Sequence, residues 1–341
     1  MERGREIPVI RIDENRIYKE IENRKPSIVA LSAPDGLLRQ VEDIVPRISE
    51  RFGIDAFIMG DACYGSCDTT NDEVSKVGAE LAFNIGHTIS IDKLGANTVM
   101  IDAYDDIEFD DVILRSLEIF RKYEKIGLTT FSQHLHMLDR AKNLFDENGV
   151  EAIIGKGKGQ LMNGQIFGCE FYPVYDIKDE VNAFALLGQS NFHGIGAALS
   201  SKKPTFMLDP YENEVIDMAK LGEERTKRAI LSIYKARDAE RFGLIVGLRE
   251  GQFMLKQTIG LKRRLEERGK KVELIALREV TSERLSQLRK MDAFIQTSCP
   301  RISIDGYTFD RPVLSVPQAE ALMRVLDGED LGEFLVRANW L

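Results

Sequence analysis

The sequence predicts an α/β fold of three pseudo-symmetric domains, each a four-stranded parallel sheet flanked by helices, arranged around one central site. Two observations lead to this prediction. Continuous apolar runs rich in Val and Ile, as in parallel strands buried on both faces, alternate with amphipathic helical patterns along all 341 residues. The third run of each set leads to His87, His193 or Cys299, and 106 residues separate each of these positions from the next. A repeat of that length indicates three similar modules.

The strand pattern occurs four times in each third of the chain. The runs are SIVALSA (27–33), AFIMGD (56–61), ELAFNIG (80–86), NTVMIDA (97–103), KIGLTTF (125–131), EAIIG (151–155), AFALLG (183–188), TFMLD (205–209), FGLIVG (242–247), VELIAL (272–277), DAFIQTS (292–298) and RPVLSV (311–316). Between the first two runs of each third lies a helical pattern that ends near Gly or Asn, a common helix stop. The predicted domains are 1–118, 119–220 and 221–341, and we expect tight packing because no linker composition separates them.

Composition excludes several classes of protein. Apolar residues make up 43% of the chain and charged residues 30%, as in a globular protein, and the net charge of −9 argues against binding to nucleic acid or an anionic membrane. No run approaches the ~20 apolar residues of a membrane span, and the N-terminus lacks the apolar segment of a signal peptide. We therefore expect a cytoplasmic protein without structural disulfides, since that compartment is reducing.

The four cysteines are placed unevenly and near predicted strand ends. Cys63 and Cys67 lie together in GDACYGSCD, Cys169 stands alone in GQIFGCEFY, and Cys299 stands alone in IQTSCPRISID. Strand ends are where α/β folds place their chemistry. One thiolate from each of three places could therefore hold a metal cluster, although inert buried thiols are the ordinary alternative.

Spacing alone leaves the kind of metal open. Zinc would need a fourth ligand, which His87, His193 or a water could supply. A 4Fe–4S cluster held by three cysteines would leave one iron open for a substrate, since such clusters otherwise take four. Cys63 and Cys67 match the start of the C-x3-C-x2-C motif of radical enzymes, but Thr70 stands at its third cysteine position, so the usual motif is absent.

Longer motifs, spread over nearly the whole chain, carry a resemblance to a known family. They are SAPDGLL (32–38), GDACYGSCD (60–68), GHTISID (86–92), TTFSQHLHML (129–138), IIGKGKGQ with GQIFGCEF (153–172), FHGIGAAL (192–199), LDPYENEV (208–215), GLKRRLEERGKKV (260–272) and DAFIQTSCPRISIDGYTFDRPVL (292–314). With these motifs the chain resembles the diphthamide-synthesis radical-SAM enzymes, the 2-(3-amino-3-carboxypropyl)histidine synthases, and most of all their archaeal homodimeric type.

The resemblance implies three α/β domains around a 4Fe–4S cluster, with one cysteine ligand from each domain. The ligands implied are Cys67 in the YGxC element, Cys169 in GQxxGC and Cys299 in SCPRI. Cys63 would then be a buried thiol or a minor ligand.

The resemblance also implies a reaction. The open iron binds S-adenosylmethionine, and one electron from an external reductant cleaves the bond between sulfur and the methionine γ-carbon. The 3-amino-3-carboxypropyl radical adds to C2 of a histidine of translation elongation factor 2, and methylthioadenosine is the other product. The expected protein is a homodimeric transferase that binds neither nucleic acid nor membrane, and its task is to position the cofactor.

Four further residues are candidate cofactor contacts. Arg301 could give a forked pair of hydrogen bonds to the methionine carboxylate, and Asp305 could orient Arg301 or meet the ammonium group. Gln252, at the end of a predicted strand, could contact the cofactor, and His193 could lie near the cluster or the incoming imidazole. The ordinary alternatives are that Arg301 is a structural residue of a turn, that Gln252 caps a helix, and that His193 is a partly buried histidine whose hydrogen bonds are made within the protein.

Two other functions stay open without the family match. One is a quinolinate-synthase-like iron–sulfur or zinc lyase, since quinolinate synthase also has three pseudo-symmetric domains with one cysteine each, although its motifs are missing here. The other is a non-catalytic scaffold that binds the elongation factor, similar to the silent partner subunit of eukaryotic heterodimers.

Overall fold

The computed structural model describes residues 10–61, 63–68, 71–89, 93–94 (backbone only), 97–305, 309–332 and 334. The elements of the first third are β1 (Arg11–Ile12), α1 (Glu14–Arg24), β2 (Ile28–Ser32), α2 (Leu38–Phe52), β3 (Asp55–Ile58), α3 (Asn71–Lys76), β4 (Leu81–Ile85), β5 (Lys93–Leu94), β6 (Thr98–Ile101), β7 (Ala103–Tyr104) and α4 (Asp110–Phe120). A short 3-10 helix, Asp35–Leu37, precedes α2.

The middle and last thirds repeat the alternation of strands and helices. The middle elements are β8 (Lys125–Thr130), α5 (Leu138–Glu147), β9 (Glu151–Ile154), α6 (Tyr172–Ile177), β10 (Ala183–Leu187), α7 (Asn191–Ser201), β11 (Thr205–Asp209) and β12 (Glu214–Asp217). The last are α8 (Met218–Arg237), β13 (Arg241–Gly247), α9 (Leu255–Glu266), β14 (Lys271–Leu277), α10 (Ser282–Ser286), β15 (Ala293–Gln296), α11 (Pro300–Ile304), β16 (Val313–Leu314) and α12 (Val316–Leu326). Further 3-10 helices cover Ser132–Met137 and Glu250–Gln252.

Three sheets share one strand order. The orders β3-β2-β4-β6, β9-β8-β10-β11 and β14-β13-β15-β16 each place the second strand at one side of the first and the third strand at the other. The pairs around the first strands β2, β8 and β13 are all parallel. The predicted α/β fold class is confirmed, and each of the twelve predicted runs contains or overlaps one of these strands.

Two sheets carry a strand that the sequence did not predict. The first sheet has the antiparallel strand β5 beside β6, and the second has β12 beside β11, so each has five strands rather than four. A separate two-stranded ribbon joins β1 to β7. One main sheet lies within each of the predicted domains 1–118, 119–220 and 221–341, whose boundaries stay a prediction.

The chain divides into two compact units. The first comprises Met1–Ile166, Tyr172–Gln189 and Met207–Ile216. The second comprises Phe167–Phe171, Ser190–Phe206 and Asp217–Leu341. Within the second unit α8 packs against α7, α11 and α12 and contributes to an apolar core with β13 and β15. Searched over the described residues, the helices include none with both the length and the apolar content needed to cross a bilayer.

The placement of His193 corrects one detail of the predicted repeat. His87 directly follows Gly86 after β4, but His193 lies in the first turn of α7, past the N-cap residue Ser190. The chain turns at Gly188, whose φ of 132° favours glycine, and the helix then begins. The prediction that His87 and His193 end equivalent strands is therefore wrong.

A repeated Gly–Phe pair packs the second and third sheets. Gly127 on β8 pairs in register with Phe184 on β10, and Gly243 on β13 pairs with Phe294 on β15. In both pairs the phenylalanine ring covers the space that a glycine Cβ would take; at Gly243 that Cβ would lie 2.6 Å from the Phe294 ring. The third strand can therefore bury a large ring only because the first strand has glycine.

We expect Gly127→Ala and Gly243→Ala each to lower the free energy of unfolding by about 1–3 kcal/mol, because the added methyl group overpacks a closed core. The measurement is denaturant unfolding followed by circular dichroism. Gly260→Ala is the matched control, since nothing lies within 4 Å of a Cβ added there on α9, and it should be neutral or slightly stabilising. Equal unfolding midpoints for all three variants would contradict the packing described.

Candidate functional site

The Cys299 loop begins at the end of β15, and a buried amide holds it. The Gln296 side chain, 1% exposed, accepts hydrogen bonds from the backbone N–H groups of Ser298 (2.9 Å) and Cys299 (3.0 Å). Its NH2 group donates to the Cys299 carbonyl (2.7 Å) and to Ser303 Oγ (3.1 Å). Cys299 is the N-cap residue of α11 and is partly exposed. Both backbone polar groups of Cys299 are thus satisfied by one side chain.

Arg301, two residues further on, is almost fully buried. Its Nε and Nη2 donate to the two carboxylate oxygens of Asp305 at 2.9 and 2.7 Å, and Nη2 also donates to the Phe192 carbonyl. The predicted contact between Arg301 and Asp305 is therefore present. Among the described residues, Arg301 Nη1 and the hydroxyl of Ser298 have no hydrogen-bond partner although both atoms are buried.

Helix α7 supports the guanidinium group. The Phe192 ring lies under the guanidinium carbon of Arg301, 3.9 Å from ring centroid to carbon, a cation–π contact. Gly196, one turn later, leaves the space in which Arg301 Nη1 and the Phe171 ring lie, and a Cβ there would be 2.6 Å from Nη1. The sequence FHGIGAAL thus provides one aromatic face and one gap for a single arginine.

The Cys169 loop, Phe167–Phe171, contacts the same helix. Gly168 lies against the Phe192 ring so closely that any Cβ would overlap it, and the loop closes with a hydrogen bond from Phe167 N to Glu170 O of 2.9 Å. Cys169 is exposed. Burial raises the pKa of Glu170. Phe192 therefore contacts both the loop of Cys169 and the arginine that follows Cys299, all within the second unit.

The Cys63 and Cys67 loop belongs to the first unit and follows β3. Cys63 is buried, with its Sγ 3.3 Å from the Asp68 carbonyl and 3.7 Å from His87 Nδ1, and Asn84 Nδ2 lies 3.5 Å from the same sulfur. Burial lowers the pKa of His87 to about 4, so the ring is neutral near pH 7. Cys67 is partly exposed. Cys63 is thus enclosed by its own loop, whereas Cys67 is accessible.

The other two predicted contact residues also lie in the second unit. Gln252 ends the 3-10 helix after β13 and is half-buried. His193 Nδ1 lies 2.8 Å from Ser190 Oγ, and its ring meets Phe192 edge-on. The local hydrogen bond of His193 fits the ordinary alternative of a satisfied histidine at a helix start.

The second unit therefore holds six of the predicted site residues. They are Cys169, Gln252, Cys299, Arg301, Asp305 and His193, whereas Cys67 lies in the first unit. Within neither unit do the described residues include three His, Cys, Asp or Glu side chains grouped as a ready metal site. Sequence reasoning missed Gln296 and Phe192. The signal for Gln296 was a polar residue inside an apolar strand, which needs a hydrogen-bond partner when it is buried.

The donor set fits a thiolate-bound cluster. All four cysteines offer thiols, and thiolates are the ligands of iron–sulfur clusters. Beside Cys299, the buried Nη1 of Arg301 and the hydroxyl of Ser298 lack a partner within the described residues, as expected where a polar group binds. The fold and these loops define an α/β protein of three like sheets with cysteines in the loops after its strands.

The family model of the diphthamide synthesis proteins matches residues 33–331. The chain is 29% identical over 329 residues to the 2-(3-amino-3-carboxypropyl)histidine synthase of Pyrococcus horikoshii, which covers 95% of this chain and 94% of the relative. It is 30% identical over 308 residues to subunit 1 of the synthase of the same name from Saccharomyces cerevisiae, and the match covers 87% of this chain and 71% of that subunit. The crystal structure of P. horikoshii Dph2 with a 4Fe–4S cluster matches with a TM-score of 0.85 at 26% identity, and the match covers 93% of this chain and 92% of the Dph2 chain.

This chain belongs to the diphthamide synthesis protein family. The predicted resemblance is confirmed, and the expected transferase class agrees with the synthase names of both relatives. The expected 4Fe–4S cluster is confirmed for the P. horikoshii relative, whose crystal structure contains one.

We expect Asp305→Ala to lower the free energy of unfolding by about 3–5 kcal/mol, because it leaves the buried charge of Arg301 without its carboxylate. The matched control is Glu320→Ala, which removes the partner of the much more exposed Arg264 and should cost less than about 1 kcal/mol. Denaturant unfolding of both variants measures the difference. Similar losses in the two variants would show that the burial of Arg301 does not govern this pair.

Proposed function

We propose that this protein is a 3-amino-3-carboxypropyl transferase that acts in the first step of diphthamide synthesis. The donor is S-adenosylmethionine, the acceptor is C2 of a histidine of translation elongation factor 2, and methylthioadenosine is released. The observation that carries the proposal is the match, over 95% of the chain, to a synthase named for this product. Cysteine thiols in three separate loops support it.

Cys67, Cys169 and Cys299 would hold a 4Fe–4S cluster and leave one iron for the substrate. When bound and reduced, such a cluster supplies the electron that cleaves the carbon–sulfur bond of S-adenosylmethionine. The exposure of the thiols supports this choice, since all three are at least partly accessible whereas Cys63 is buried against the carbonyl of Asp68. Cys63 is then a structural thiol that closes the Cys67 loop.

Arg301 would bind the methionine carboxylate through Nη1 only. Its Nε and Nη2 are engaged by Asp305, so the forked contact expected from sequence would need Asp305 to move. Nη1 alone still offers a charge-assisted hydrogen bond, and Asp305 and the Phe192 ring fix its direction. Gln252 and His193 are the further proposed contacts to the cofactor and to the incoming imidazole.

The proposed partners follow from the reaction. The protein substrate is the elongation factor, the electron comes from an external reductant, and the assembly is a homodimer like the archaeal enzymes that the chain resembles. Because translation takes place in the cytoplasm, we place the protein there. The net charge of −9 supports the absence of a nucleic-acid or membrane partner.

Replacement of single cysteines by alanine tests the cluster. We expect Cys67→Ala, Cys169→Ala and Cys299→Ala to lose most iron after anaerobic reconstitution, because a lost ligand opens the site, whereas Cys63→Ala keeps it. The measurements are iron per chain, absorption near roughly 400 nm and methylthioadenosine released from S-adenosylmethionine after reduction.

Three outcomes would contradict this proposal. A colourless protein that binds zinc would favour the lyase alternative. An intact cluster without methylthioadenosine release would favour the scaffold. Iron loss in Cys63→Ala, with iron retained in Cys67→Ala, would exchange the roles of these two cysteines.

Arg301→Lys tests the carboxylate contact. We expect KM for S-adenosylmethionine to rise about tenfold, because lysine keeps the charge but not the planar fork that aims Nη1. Iron content should stay at the wild-type value, since Arg301 is not a thiol ligand. An unchanged KM with a lowered unfolding midpoint would show that Arg301 has a purely structural role.

A further inference from the structure

Gln296 is a buried polar residue in a strand that is otherwise apolar. All four residues of β15 are buried, and Gln296 pairs in register with Ile245 on the central strand β13. The next residue, Thr297, donates from its backbone N–H to the Ile245 carbonyl at 3.0 Å, and its hydroxyl lies 2.8 Å from that of Thr258 on α9. The base of the Cys299 loop is therefore fixed to the sheet and to a helix.

Of the four hydrogen bonds found for the Gln296 amide, three go to the turn that carries Cys299 and one goes to Ser303 on the following helix α11. Two N–H groups converge on its oxygen, and its NH2 group reaches the Cys299 carbonyl and Ser303 Oγ. Burying an amide costs free energy unless its hydrogen bonds are made, and an apolar side chain would suit the strand equally well. The hydrogen bonds to the turn, rather than packing in the core, therefore explain why a glutamine stands at this position.

We propose that Gln296 is the positioning residue of the Cys299 thiol. It binds the backbone of Cys299 on both sides and thereby sets the direction in which the Cα–Cβ bond points. None of its four hydrogen bonds is to the sulfur, so it acts through the backbone of Cys299. The importance of this direction for a cluster rests on the proposed function, because a metal ligand must be held within a few tenths of an ångström by its surroundings.

The experiment compares Gln296→Ala, Gln296→Glu and Gln318→Ala with the wild type, all in the cluster-free protein. Gln318 is the matched control because it is also a buried glutamine of the second unit that binds a backbone N–H, that of Ser315 in the capping box of α12. Each cysteine is alkylated with iodoacetamide under anaerobic conditions, and mass spectrometry of its peptide gives its own rate.

We expect Gln296→Ala to raise the alkylation rate of Cys299 by about tenfold, since the loss of several hydrogen bonds favours local opening. Gln296→Glu keeps the acceptor for both N–H groups but loses the donor. The alkylation rate of Cys299 in this variant should therefore lie between those of the wild type and Gln296→Ala. In each variant the exposed Cys169 should react at the wild-type rate. Gln318→Ala should leave the Cys299 rate unchanged even if its unfolding midpoint falls.

A second measurement separates this proposal from the proposed function. After reconstitution, Gln296→Ala should hold less than about half of the wild-type iron, or show a changed electron paramagnetic resonance spectrum of the reduced cluster. A wild-type protein without iron, combined with faster Cys299 alkylation in Gln296→Ala, would reject the cluster but keep the positioning role. Wild-type Cys299 rates in both Gln296 variants, or equal acceleration in Gln318→Ala, would overturn the proposal.

Discussion

Parallel strand pairing fixes where the cysteine-bearing loops of this protein begin. Because parallel strands end at the same edge of their sheet, the loops that leave them carry side chains to that edge. Cys67 and Cys169 follow the second strands β3 and β9, and Cys299 follows the third strand β15. Each of the three sheets thus has one strand that a cysteine-bearing loop follows in the sequence, although these strands are not equivalent.

Loops that carry reactive thiols need support, and here buried amides supply it. Gln296 binds the turn of Cys299, Asn84 lies beside the sulfur of Cys63 in the loop of Cys67, and Gln165, in the segment before Cys169, accepts from Met162 N and donates to the Thr88 carbonyl. A loop leaving a parallel strand has backbone groups that no neighbouring strand can bind. A buried amide both donates and accepts, so one side chain can satisfy several of them at once.

Arg301 is a buried charge whose surroundings satisfy only part of its hydrogen-bonding capacity. Asp305 neutralises Arg301 and takes two of its hydrogen bonds, while the Phe192 ring covers one face. Nη1 stays buried without an acceptor among the described residues. An unpaired buried donor destabilises the fold. A hydrogen bond from Nη1 to an acceptor on a bound molecule would therefore contribute more binding free energy than the same bond from an exposed arginine.

The strands, the repeat and the placement of the cysteines after strands could be predicted from the sequence, because long apolar runs, helix stops and distinctive motifs are local signals. The sequence did not reveal β5 and β12, which are short edge strands of two and four residues. Nor did it reveal that His193 begins a helix or that Phe192 supports Arg301, and it left open whether Cys63 is a buried thiol or a minor ligand. These features follow from the folded chain, because they depend on packing between residues far apart in sequence, such as Phe192 and Arg301, which are 109 positions apart.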